Sequence, residues 1–285
     1  MGSLLLIGAI YALIIYNWNA NWPTWFIWLF PLIISLFLLF IFKNRLFKIS
    51  SAEVNPFNGL ISNLLLFIGI PVLTVIFFIP LSQSLRYNFG QVKRLQSINE
   101  LKAHERPAFL DVEDWYVDRM RVIPLKTVSK PGLFSSKRLE VNVLFIVPVF
   151  SREDAYQTFA KAWLAFDYHQ TFTKGELQEG RDDEFVNSSL THFRRMNIRE
   201  FRYLEAYPRG NQYDAFVKMA QVHNYFKTGF GTVYKGQEVD RDYLSAYFLK
   251  YFLFLFSIIG IPVILVLSLL FRVLQKNGLA RNNGS

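Results

Sequence analysis

Apolar residues dominate four stretches of the chain, Leu4–Trp18, Trp25–Phe42, Asn58–Ser82 and Tyr247–Phe271, while the segment between the last two mixes apolar and polar positions. An apolar run of about twenty residues predicts a helix able to cross a hydrocarbon core, and period-two alternation predicts strands. The first run, at about fifteen residues, is short for a full crossing. The pattern therefore predicts a multi-pass α-helical membrane protein of about four transmembrane helices, near 4–18, 25–42, 58–82 and 247–271. An α+β domain, residues 83–245, is inserted between the third and fourth.

The third and fourth runs carry the same five residues, Ile68-Gly69-Ile70-Pro71-Val72 and Ile259-Gly260-Ile261-Pro262-Val263. Proline removes a backbone donor and crowds the carbonyl four residues earlier, so Pro71 and Pro262 predict a kink in each helix. Gly69 and Gly260 allow another backbone to come close. The expectation is that the two steps pack against each other, or against a partner, midway through the membrane.

Within the polar segment, Val92, Leu95, Ile98 and Leu101 are spaced three apart and predict an amphipathic helix over Gln91–Glu105. Asp114–Leu125 and Lys137–Phe150 read as strands joined through the turn Lys130-Pro131-Gly132. In the second strand Leu139, Val141, Val143, Phe145, Val147 and Val149 share one face, and Leu144 and Ile146 make the other apolar too, which predicts an interior strand. Ser151 is a cap candidate for a short helix through Phe159. Trp163–Thr173 is strand-like, although a helix also fits. A helix follows from Asp182 or Asp183 to about Met196, then a strand at Phe201–Tyr207 and a helix at Gln212–Tyr225. Gly229, Gly231 and Gly236 suggest a loosely ordered return to the last apolar run. The sum is a sheet of about four strands with helices packed on it.

Charge sharpens the division. The segment 83–245 holds 24 of the 31 Lys and Arg residues and 21 of the 22 Asp and Glu residues, so most of the net positive excess lies in and beside the apolar runs. That placement orients helices and meets anionic head groups, and it makes the basic balance poor evidence for nucleic acid. Lys43, Arg45 and Lys48, with Arg272, Lys276 and Arg281, predict cytoplasmic loops and put residues 83–245 outside the cytoplasm, most simply at a bacterial inner membrane. With no cysteine, disulfides, thiolate metal sites and cysteine nucleophiles are excluded.

No catalytic, cofactor-binding or metal site is predicted. His104, His169, His192 and His223 never fall at ligand spacing, although His169 and His192 could converge in a fold. Alternation splits Asp111 and Glu113 from Asp114 and Asp118, which favours a solvated edge. Arg194, Arg195, Arg199 and Arg202 form the most basic run and suit a lipid head group or an anionic partner, with Glu200 and Glu205 interleaved as competing ion pairs. Tyr87, Phe89, Phe226 and Phe230, with Tyr225 and Tyr234, flank the membrane runs and suit docking to a bilayer or a neighbouring subunit. The functional expectation is a non-enzymatic component of a bacterial envelope complex whose outward domain binds a protein partner. Its partners are then the lipid bilayer and other envelope proteins, or a second copy of itself, with no nucleic acid and no cofactor. The alternative is a homo-oligomeric channel or membrane-perturbing effector gated by the external domain. An envelope enzyme acting on lipid or peptidoglycan is a third, weaker reading.

Overall fold

The computed structural model describes residues 2–18, 24–50, 65–130, 138–152, 159–266 and 268–269. They belong to two compact units, Met1–Gly90 with Arg241–Ser285, and Gln91–Asp240. The stretches 19–23 and 51–64, the Pro131-Gly132 turn, most of the helix expected after Ser151, and the tail with Arg272, Lys276 and Arg281 lie outside the described residues.

The first unit is helical. Helix α1 (Gly2–Trp18) turns Leu4, Ile7, Tyr11 and Ile15 inward at helical spacing, and Tyr11 meets Phe78 edge-on at 5.2 Å. Helix α2 (Thr24–Ser50) continues through Lys43–Lys48, where a loop was expected to begin. Helix α3 (Ile70–Phe89) and helix α7 (Arg241–Leu255) pair closely. Ser84 Oγ donates to the Ser245 carbonyl at 2.9 Å and Ser245 Oγ returns the bond to the Ser84 carbonyl at 3.1 Å. Small hydroxyl residues let helices approach and hydrogen-bond across the gap. Phe77 meets Phe256 edge-on at 5.6 Å, and Tyr87 lies flat on Phe248 at 5.9 Å. The Arg241 guanidinium donates to the Tyr87 and Gly90 carbonyls at 2.6 and 3.1 Å, satisfying acceptors at the end of α3. These pairs run in opposite directions along the two helices.

Each copy of the repeated pentapeptide produces the same backbone event. A single π turn, Leu65–Gly69, precedes α3, and another, Phe256–Gly260, follows α7. Proline cannot donate to the carbonyl four residues back, and its ring crowds that carbonyl. For Pro71 and Pro262 the carbonyls concerned are those of Phe67 and Ile258, and both sit inside the π turns. Local π adjustment is how a helix absorbs an internal proline. The expected close backbone approach at Gly260 takes another form. A Cβ there would meet the ring of Phe256, four residues earlier in the same helix, at 2.8 Å.

The second unit is a mixed eight-stranded sheet with apolar cores on both faces. Its strands are β1 (Val92–Ser97), β2 (Phe109–Asp114), β3 (Tyr116–Val117), β4 (Ile123–Ser129), β5 (Arg138–Phe150), β6 (Ala162–Thr173), β7 (Tyr203–Ala206) and β8 (Val233–Gln237). The spatial order is β1-β2-β7-β8-β6-β5-β3, with β4 also paired to β5. The β1–β2 and β6–β8 pairs are parallel and the others antiparallel. On one face Val141, Val143, Phe145 and Leu164 pack under helix α5 (Arg181–Arg195), where Phe193 stacks on Phe145 at 5.7 Å. On the other, Leu144, Ile146 and Trp163 pack under helix α6 (Asn211–Gln221) through Phe216, Met219 and Ala220. A short helix, α4 (Lys174–Gln178), links β6 to α5 behind the capping Thr173.

These observations overturn the expected multi-pass helical architecture. Among the described residues, two helices are long and apolar enough to cross a membrane, Phe67–Phe89 and Arg241–Val266; the apolar helical stretches Leu6–Ile15 and Trp25–Ile41 are shorter. The sheet has eight strands where about four were expected. Gln91–Glu105 is strand β1 followed by a 3₁₀ turn, because pairing with β2 outweighs the three-residue spacing and the turn buries Ile98. Asp114–Leu125 is broken into the end of β2, the short β3 and the start of β4 by a 3₁₀ turn at Arg119–Arg121. The supposed loose return contains β8, whose Val233 and Tyr234 are fully buried between β7 and β6.

Candidate functional site

The ends of β2, β3 and β5 meet the chain leaving α5, and a cleft of about 390 Å³ opens there. Its lining includes Glu113, Trp115, Tyr116, Arg119, Arg152 and Arg199. Asp114 at the end of β2 fastens the surroundings. Its carboxylate accepts from the Ser151 hydroxyl, from the Arg152 backbone N–H at 3.2 Å and from Ser97 Oγ at 3.4 Å. Arg152 Nε lies 3.7 Å from the same carboxylate, which holds that side chain at the rim. Asp118 starts the 3₁₀ turn by accepting from the Met120 N–H at 3.0 Å, and the turn carries Arg119. Arg119 donates to the Arg194 and Met196 carbonyls at 2.6 and 2.5 Å, closing the C-terminal end of α5. A second turn, Ile198–Glu200, is capped by Asn197, which accepts from the Arg199 N–H at 3.3 Å. That turn brings Arg199 to the cleft.

The sequence-predicted residues distribute unevenly. Of the basic run, Arg199 lines the cleft and Arg202 pairs with Asp240 at 2.9 Å. Arg194 and Arg195 are exposed at the end of α5. The interleaved carboxylates do not pair with this run: Glu200 accepts from Asn197 Nδ2 at 2.9 Å, and the buried Glu205 faces Lys235 at 3.3 Å and Gln237 at 2.6 Å. Tyr87 is 5% exposed and Phe230 8%, so both rings are spent on packing inside their own units. Phe89 is 43% exposed, and Phe226 packs partly on the core beneath α6. Gly69 and Gly260 close the two π turns, with Pro71 and Pro262 two residues beyond.

His169 and His192 do not converge. Tyr168 takes the position facing the helix, and its hydroxyl lies 3.1 Å from His192 Nδ1; His169, next along β6, is exposed. Burial, with Asp167 adding, raises the Tyr168 phenol above its ordinary value. The same two causes raise the Tyr207 phenol on the other face, where it donates to Asp167 at 3.2 Å. Among the described residues no three His, Asp or Glu side chains are grouped to hold a metal.

A second opening, between β4 and α6, is lined by Ile123, Leu125, Met219 and Val222, with Asp214 and Lys218 among its polar members. It is shallow and largely apolar. The arginine cleft is the more specific arrangement, because guanidinium groups present fixed donors to an oxyanion. Compared with family models, curated proteins and solved structures, the chain matches none of them.

Proposed function

We propose that the chain is a non-enzymatic, membrane-anchored binding component of a cell envelope, held in the bilayer by α3 and α7 and carrying the sheet unit to engage a protein partner. One observation carries this reading. Only 6% of the most apolar window of Arg241–Val266 is covered by the chain itself, against 44% for Phe67–Phe89. Phe254, Ile258, Ile261 and Leu265 all point outward. A contiguous apolar surface of this kind is costly in water and calls for lipid or protein around it. The two serines toward its far end are already satisfied, since Ser257 donates to the Leu253 carbonyl and Ser268 to the Ile264 carbonyl at 2.8 and 2.7 Å. A helix with such an outer face supports contact with lipid over lining a water-filled pore.

The test is an alkaline carbonate wash of membranes holding the full chain, then recovery of the washed protein in native nanodiscs for mass measurement. The expected result is a chain retained in the membrane and recovered with a partner at fixed stoichiometry. Release into the wash contradicts the anchor. Recovery as a lone monomer contradicts the partner.

A further inference from the structure

We propose that the arginine cleft is a binding site for a phosphate-class oxyanion, the phosphate of an ester or of a lipid head group. Three arginines from distant parts of the sequence line one cleft, against a single lining carboxylate, Glu113. Each is placed by a separate device. The Arg119 fork is fixed by two backbone carbonyls, which are neutral acceptors, so its positive charge is retained and its orientation preset. Those bonds use two of the five N–H donors of a guanidinium. Arg152 is tethered by Asp114, itself anchored by Ser151 and the end of β5. Arg199 has no carboxylate partner among the described residues, and its side chain holds no element together.

The walls add to this. Trp115 packs against the core beneath α5, and Tyr116 lies against Phe150 at 5.8 Å. These two rings give the open, mainly polar cleft a partly buried wall beside the arginines. A carboxylate is satisfied by one bidentate arginine, whereas a phosphate offers more acceptor oxygens than one fork can reach. Three arginines lining one cleft therefore favour phosphate. At about 390 Å³ the cleft also falls in the range of small-ligand sites and holds a phosphate with part of the group that bears it.

This assignment names the ligand of the binding unit and rests on the anchor reading only where the phosphate belongs to a lipid. The experiment uses the full chain in phosphatidylcholine nanodiscs, titrated calorimetrically with inorganic phosphate at two salt concentrations. A parallel arm compares nanodiscs with and without phosphatidic acid, read by protection of Arg152 and Arg199 from phenylglyoxal, with the exposed Arg152 as the reporter in variants of Arg199. Saturable binding of inorganic phosphate assigns a soluble ester as the source. Protection by phosphatidic acid alone assigns the lipid. In either arm Arg199→Ala should weaken binding roughly tenfold to a hundredfold while leaving the melting temperature unchanged, because one charge-assisted donor set is removed. Arg199→Lys should restore part of the affinity. No saturable response in either arm, or binding indifferent to Arg199→Ala, overturns the proposal. Phosphate binding by a chain that carbonate strips from membranes would leave the cleft assigned and remove the anchor instead.

Discussion

Strand β5 and helix α7 are both largely apolar runs, yet the protein treats them in opposite ways. From Val143 to Phe150 the strand is buried on both faces, beneath α5 on one side and α6 on the other. The helix is bare on its outer side, while its inner side meets Ser84, Tyr87 and Phe77 of α3 and sets Phe252 and Leu255 against the apolar cluster of α1 and α3. Apolar composition alone therefore separates neither core from anchor. What separates them is whether the rest of the chain supplies a matching surface, and for α7 it supplies one narrow seam.

The sharpest way to break this comparison is to truncate one large residue in each. Phe145 is fully buried between Tyr168 and Phe193, so Phe145→Ala should cost the sheet unit about 3–5 kcal/mol of unfolding free energy in a denaturant melt. Phe254→Ala, on the bare helix, should change the melt by no more than about 0.5 kcal/mol. Equal effects would contradict the contrast.

Charge asks the converse question. Ile258→Lys leaves every internal contact of the sheet unit untouched but should oppose membrane insertion by about 2.5–3.5 kcal/mol, seen as a smaller carbonate-resistant fraction. An unchanged fraction would mean that Ile258 faces no lipid.

Gly236 gives a smaller test inside the sheet. A Cβ there would clash with the Phe201 ring, which also lines the arginine cleft. Gly236→Ala should cost about 1–3 kcal/mol and displace that ring, weakening phosphate binding in the same variant.

The smallest expected effect is electrostatic. The hydrogen bond from Lys126 holds the Asp182 carboxyl below its usual range, tying β4 to the first turn of α5. A carboxyl with a depressed folded value stabilises the fold above its unfolded value and loses that contribution as the pH falls through the folded one. Acid melts of the native chain and of Asp182→Asn should therefore differ slightly at neutral pH and converge in strong acid. Salt should shrink the difference, since both groups are near the surface.

The sequence disclosed elements whose own pattern is long and regular. The alternation from Val141 to Val149 announced β5 and its two covered faces, and Val186, Leu190 and Phe193 announced α5. Elements that depend on distant partners stayed hidden. The five residues of β8 sit among glycines, and only Val233 and Tyr234 hinted at a strand that the sheet places between β6 and β7. The spacing of Val92, Leu95, Ile98 and Leu101 suits a helix as well as a strand followed by a tight turn, and pairing with β2 decides between them. Pro71 and Pro262 signalled a local distortion, and its form, a π turn ending at the preceding glycine, came from the structure. The cleft was almost invisible, because Arg119, Arg152 and Arg199 are remote in sequence and only Arg199 belonged to a visible basic run.

The lack of cysteine makes one measurement decisive for the anchor. A spin label on Ile258→Cys in reconstituted membranes, with Val128→Cys on exposed β4 as the reference, reports collisions with oxygen and with a water-soluble nickel chelate. The account predicts that the label at 258 meets oxygen and is shielded from nickel, while the label at 128 meets nickel freely. Nickel collisions at 258 matching those at 128 would contradict a lipid-facing helix Arg241–Val266 and the anchored reading with it.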